Sequence, residues 1–142
     1  AVTAGIGIER KLAEFTQAHD DYSGLMLKTI ADRLAEAFAE WLHRRVRVEL
    51  WGYAPGEALA NDALIREAYR GIRPAPGYPA CPELEDHFKV FQLLPGAETE
   101  LGMSLATSGQ LIPEQSTAAI IVHHAQAKYY SVGESRVEQL MK

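Results

Sequence analysis

Arg73-Pro74-Ala75-Pro76-Gly77-Tyr78-Pro79-Ala80-Cys81 divides the sequence into two unlike parts. Four prolines and two glycines lie between Gly71 and Pro82. Each proline lacks an amide hydrogen and restrains the residue before it, so no regular helix runs through this stretch. It reads as a stiff, extended loop, whose prolines lower the entropy cost of holding one shape. Gly77 lets the backbone turn or come close to a ligand. Arg73 supplies a planar fork for a carboxylate. Tyr78 supplies a hydroxyl and an aromatic face that attracts cations. A ligand with a carboxylate, a cationic centre and a flat ring suits this set. A rigid connector between two helices, with Arg73 in a structural ion pair, suits the same residues equally.

Upstream of this loop the pattern is helical. Ile8, Leu12 and Phe15 predict a short helix over Ile8 to Ala18, and His19, Asp20 and Asp21 supply a break and an N-cap. Tyr22 to about Arg45 carries the strongest helical period, with Leu27, Ile30, Leu34, Phe38, Trp41 and Leu42 in one stripe. Val46, Val48 and Leu50 alternate with charged residues, which predicts a strand over Val46 to Trp51. Pro55 and Gly56 mark a turn, and Asn61 or Asp62 caps a helix that runs to about Arg70.

Downstream, Pro82 suits the first turn of a helix carrying Leu84, Phe88, Phe91 and Leu94, which Pro95 and Gly96 stop. Strands are then expected at Met103 to Ala106, Thr117 to His124 and Lys128 to Val132. Ala125 to Ala127 is short enough to join the last two as a hairpin, and Glu134 to Met141 is expected to close the chain as a helix. Helices followed by strands predict an α+β fold. The 142 residues fit one domain, residues 1–142.

Composition narrows the function classes. With 47% apolar and 23% charged residues, the chain is neither disordered nor membrane-like. No apolar run approaches the roughly 20 residues of a spanning helix. The start lacks the basic and apolar regions of a signal peptide. A net charge of −5 argues against nucleic acid, and Arg44, Arg45 and Arg47 read as cations ending a helix. One cysteine, Cys81, rules out an internal disulfide and a cysteine-based zinc cage. These features fit the cytoplasm. HExxH, GxSxG and phosphate-loop signatures are absent. Gly5-Ile6-Gly7 is a partial dinucleotide fingerprint, with no strand expected before it and no third glycine. His123 and His124 would face opposite sides of a strand, which is poor geometry for shared metal binding, and no metal site is expected.

The nine-residue loop resembles the S-adenosylmethionine-binding loop of the activation domain of cobalamin-dependent methionine synthase. His19-Asp20-Asp21-Tyr22 and Ala31-Asp32-Arg33-Leu34-Ala35-Glu36-Ala37 are similar to the family's long helix. Trp51-Gly52-Tyr53-Ala54-Pro55, Ile65-Arg66-Glu67 and Lys128-Tyr129-Tyr130-Ser131-Val132-Gly133 also fit, in the family's order. The resemblance covers nearly the whole chain, as the C-terminal part of the domain. An N-terminal part that contacts the ligand's amino group through an acid is expected outside it. Leu84 and the Ile120-Ile121 pair replace a histidine and an aromatic pair of the family pattern, so contacts to the corrin or partner domain are expected to differ there.

The resemblance implies long helices packed on a small, mainly antiparallel, twisted sheet. It also implies that Arg73 holds the carboxylate of S-adenosylmethionine and that Ala75 and Gly77 meet the adenosine. By the same resemblance Tyr78 sits at the methyl-transfer site and Tyr129 and Tyr130 flank the ligand. Glu36 corresponds to a family carboxylate near the active site, and a solvated helix acid explains it equally well. The implied activity is a methyltransferase's repair step within methionine biosynthesis. Cobalamin oxidised to cobalt(II) is reductively methylated back to methylcobalamin, with the electron coming from a flavodoxin-like donor. The chain lacks the DxHxxG cobalamin-ligand motif, so the resemblance places the corrin on a neighbouring cobalamin-binding domain. A non-catalytic docking module for that domain or for flavodoxin is the alternative. A free-standing methyltransferase is a third reading, opposed by the missing glycine-rich nucleotide loop.

Overall fold

The computed structural model describes residues 1–129. Strand β1 spans Val2–Thr3, helix α1 Ile8–Gln17 and helix α2 Asp21–Arg45, which runs directly into a π-helical turn, Val46–Leu50. Helix α3 spans Asn61–Ile65 and helix α4 Asp86–Leu93. Strands β2 (Ser104–Leu105), β3 (Leu111–Ile112) and β4 (Ser116–Thr117) follow. The strands form two antiparallel ladders, β1 with β4 and β2 with β3. Val2 faces Thr117 and Thr3 faces Ser116, so the start of the chain is joined to its last described strand. The α+β expectation holds.

Helix α2 is the spine. Its N-terminus is capped as expected, with the Asp20 carboxylate accepting from the Ser23 amide at 3.0 Å. The face it buries differs from the apolar stripe. Ala31, Ala35, Ala39 and His43 are the buried residues of α2, each four positions after the last, and Arg47 continues the row. Small side chains on such a ridge let the helix backbone come close to β1 and β4, against which α2 packs. The large residues point away: Ile30 is 50% exposed, Leu34 57%, Phe38 43% and Trp41 50%, and no described element covers them. Leu27 and Leu42 are half-buried.

Several expected elements change in tertiary context. Val46 to Trp51 is no strand but the π turn, in which the Trp51 amide reaches back five residues to the Val46 carbonyl at 3.0 Å. Widening the helix here accompanies the full burial of Arg47, an interaction that outweighs the local apolar alternation. Arg47 is therefore not one of the exposed helix-end cations, whereas Arg45 is half-exposed and pairs with Glu49. The helix expected to reach Arg70 stops at Ile65, and the helix after the loop starts at Asp86 rather than at Pro82. His87 and Val90 are its buried residues, while Phe88 is exposed. β1 does precede Gly5-Ile6-Gly7, contrary to expectation. A Cβ on Gly5 would lie 2.7 Å from Pro113, so close packing explains that glycine. The Thr117 to His124 strand is reduced to Ser116–Thr117 and an isolated bridge between Val122 and Ile72. Lys128 and Tyr129 are not in a strand. The rest of the Lys128 to Val132 strand, Tyr130 and the Glu134 to Met141 helix lie outside the described residues; Ala125 to Ala127, expected to join the last two strands, is described and holds a turn in which the Ala127 amide donates to the His124 carbonyl at 3.1 Å.

Gly71 sets the entry to the proline-rich loop. Its φ is +89° and an added Cβ would lie 2.6 Å from the Val122 carbonyl oxygen, the group that accepts the Ile72 amide at 3.0 Å. Gly71→Ala meets both a left-handed backbone and a backbone clash. It is expected to cost about 2 kcal/mol or more, read as a lowered urea midpoint at unchanged slope.

Candidate functional site

The loop of residues 73–81 is clamped at both ends. The Ile120 amide donates to the Pro74 carbonyl at 3.0 Å, beside the Ile72–Val122 bridge. At the far end the Gly77 amide donates to the Cys81 carbonyl and the Cys81 amide to the Tyr78 carbonyl, both at 2.8 Å. Gly77 has φ +90°, a conformation that suits glycine, and it shapes this turn without lining the groove below. The clamps hold the loop over the ridge of α2, with β4 as the opposite wall.

Between them lies an open groove of about 330 Å³. Arg73, Ala75, Tyr78, Glu36 and Tyr129 all border it. Tyr78 is exposed at its rim. Tyr129 reaches under the loop, its hydroxyl accepting from the Arg73 amide at 2.6 Å, and burial pushes its phenol pKa up. The Glu36 carboxylate is exposed and takes Arg33 Nη1 at 2.7 Å. Gly77 is not part of the lining.

Residues given no site role from the sequence complete the groove. Glu67 lines it from just beyond α3, with φ +53°, a backbone conformation uncommon for a non-glycine residue. His87 lines it from α4; its Nδ1 donates to the Gly109 carbonyl at 2.9 Å. Ser116, Thr117 and Ala118 come from β4 and its exit.

From the groove wall at Arg73 a charge network runs inward to the fully buried Arg47. Arg47 has no exposed side-chain surface and grips Glu57 twice, Nε to Oε2 at 2.7 Å and Nη2 to Oε1 at 2.8 Å. Its guanidinium lies 3.9 Å from the Tyr69 ring centre. Burial opposes its charge, but the Glu57 hydrogen bonds and the Glu57 and Glu40 carboxylates outweigh this and raise its pKa. Glu40 joins the two arginines, with Oε1 at 3.6 Å from Arg47 Nη2 and Oε2 at 3.2 Å from Arg73 Nη1. Tyr69 Oη is 3.4 Å from that same Oε2. Arg73 Nη1 also donates to His43 Nδ1 at 2.8 Å. Arg73 thus lines the groove and is also ion-paired to Glu40. Glu40 and His43 follow Glu36 at four- and three-residue steps, a polar row along α2 that was the available signal for them.

These features define a class: an α+β domain whose proline-stiffened loop and arginine network open onto one groove of small-ligand size. Residues 1–142 match the family described as vitamin B12 dependent methionine synthase, activation domain, and the chain belongs to that family. It is similar to a crystal structure of the MetH reactivation domain bound to AdoHcy, with 49% identity and a TM-score of 0.87. The match covers 92% of this chain and 40% of that one, so the chain spans less than half the length of this relative. Among the described residues no helix is long and apolar enough to cross a membrane.

Two consequences are measurable. Glu57→Ala strands the fully buried Arg47 charge beside Glu40 alone and is expected to destabilise the fold by about 3 kcal/mol, read by urea unfolding. His43 is buried, and burial, followed by the Arg47 and Arg73 charges, lowers its pKa from 6.5 to about 3. Between those values the unfolded chain holds a proton that the native state refuses. The contribution of His43 is therefore complete above pH 6.5 and is lost as pH falls through that window. Native stability should drop by up to about 1.4 kcal/mol per pH unit on this account, a component that His43→Asn removes.

Proposed function

We propose that the groove binds S-adenosylmethionine and presents its methyl group to cobalamin carried by a neighbouring domain, in the reductive reactivation of methionine synthase. The observation that carries this reading is the gathering of Arg73, Glu36, Glu67, Tyr78 and Tyr129 around one open groove. The AdoHcy bound to the similar reactivation domain supports it, since that compound is what S-adenosylmethionine becomes on losing the methyl.

The residues fit the ligand's chemistry. The Nε and Nη2 atoms of Arg73 have no partner among the described residues and form an edge that takes a carboxylate through two hydrogen bonds. Glu36 and Glu67 place negative charge along the walls, where it attracts the sulfonium and the ammonium. Ala75, with the turn that Gly77 forms, offers backbone to the adenosine. The exposed Tyr78 stands at the rim, where the methyl must meet its acceptor, and Tyr129 supports the loop from below. The family resemblance assigns Tyr130, together with Tyr129, to flanking the ligand.

Reduced cobalt would supply the nucleophile, one electron from a flavodoxin-like donor having restored it. The protein's residues need supply no general base, because the sulfonium is already an activated donor. Their work is orientation and electrostatics. Such a domain acts as part of a methyltransferase in the cytoplasm. The uncovered apolar face of α2 favours a second role as a docking module for the cobalamin domain or flavodoxin.

Titration calorimetry of the full chain with S-adenosylmethionine tests the main reading. The native chain is expected to bind, and Arg73→Ala to bind at least about tenfold more weakly after losing a charge-assisted pair. Equal binding by the two removes Arg73 from the site. Binding by neither leaves the docking role.

A further inference from the structure

Among the described residues, the guanidinium of Arg73 is held through one of its nitrogens. Nη1 carries two hydrogens, and its two acceptors are Glu40 Oε2 at 3.2 Å and His43 Nδ1 at 2.8 Å. A guanidinium only donates, so Nδ1 must be unprotonated and the ring's proton must sit on Nε2. With both Nη1 hydrogens engaged, the plane of the group is set, and the Nε–Nη2 edge, which has no partner among the described residues, is the one left to a ligand. The imidazole itself is fixed. His43 is 1% exposed, ends the alanine ridge of α2, and stands edge-on to Tyr69 with ring centres 4.9 Å apart.

The identity of the second acceptor has a consequence. Two arginines and two glutamates, Arg47, Arg73, Glu40 and Glu57, make a network with no net charge. A carboxylate at position 43 would leave it negative and weaken its hold on an anion. A neutral imidazole orients Arg73 and leaves its charge for the ligand. A protonated one would donate where a donor already points, and would face two guanidinium groups.

We propose that His43 is a positioning residue that aims the Nε–Nη2 edge of Arg73 at the ligand's carboxylate. This rests on the S-adenosylmethionine reading above, and it predicts a defect confined to ligands that carry a carboxylate. Calorimetry with two probes reads it: S-adenosylmethionine, and its decarboxylated form, which keeps the sulfonium and the adenosine. His43→Leu removes the acceptor at similar bulk. It should bind S-adenosylmethionine about tenfold more weakly and the decarboxylated probe within about threefold of native. His43→Asn puts an amide oxygen where Nδ1 stood and should restore S-adenosylmethionine binding to within about threefold.

Equal affinity of His43→Leu and native for S-adenosylmethionine overturns the proposal. So does an equal loss for both probes, which marks a general structural role, or a failure of Asn to restore. If the Leu variant does not fold, His43→Asn against His43→Gln decides, since only Asn carries its oxygen at the Nδ1 position. Equal S-adenosylmethionine affinity of those two also overturns it. A native chain that fails to bind S-adenosylmethionine defeats the parent reading and this one together. A native chain that binds, with Arg73→Ala weakened and His43→Leu unchanged, defeats this one alone.

Discussion

A fully buried guanidinium is a severe constraint, and the rest of the molecule is arranged around the one at Arg47. Its charge is tolerable only with Glu57 gripping it twice, Glu40 beside it and the Tyr69 face against it. Meeting that demand draws the segment after α2 back onto the helix, since Glu57 is only ten residues downstream. It also brings Tyr69, just before the proline-rich loop, against the end of the alanine ridge. Glu40 then passes the arrangement on to Arg73 at the head of the loop. Structural charge and groove charge are one network, so the groove's electrostatics are set from the interior.

The alanine ridge makes this geometry reachable. Ala31, Ala35 and Ala39 let α2 lie close to the β1–β4 ladder, and the row ends in His43 and Arg47 where the groove begins. The loop forms the other wall and is stiff for two independent reasons, proline content and hydrogen-bond clamps at each end. A preorganised wall over a fixed arginine suits a task in which orientation is most of the chemistry. Family membership agrees with this design, and the shared fold extends over 92% of the chain.

Much of the groove was legible in the sequence because it is concentrated in a short segment. Arg73, Ala75 and Tyr78 share one proline-stiffened loop, and Glu36 and Tyr129 sit in stretches that resemble the family. His87 and the β4 wall were not legible, and Glu67 was legible only as the end of a stretch that resembles the family, with no place in the groove assigned to it. They reach the groove from separate elements, and no local pattern announces that meeting. Glu40 and His43 were half-legible, as a polar row at helical spacing whose partners lie some 30 residues away in Tyr69 and Arg73.

What the amino-acid order determined by itself was local: the Asp20 cap, the helical period of α2, the breaking of helix by four prolines and the α+β succession. These depend on backbone sterics and near neighbours, which act within a few residues. Only the tertiary structure decided which face of α2 turns inward. Period alone pointed to Leu27, Ile30, Leu34 and Phe38 as one face, while the sheet accepts the alanines because they permit closer approach. The same holds for Val46 to Leu50, whose alternation reads as a strand until Arg47 finds Glu57. A buried charge must be paired wherever its partner lies along the chain, and that requirement overrides a local preference worth a fraction of a kilocalorie per residue, at about 0.5 kcal/mol.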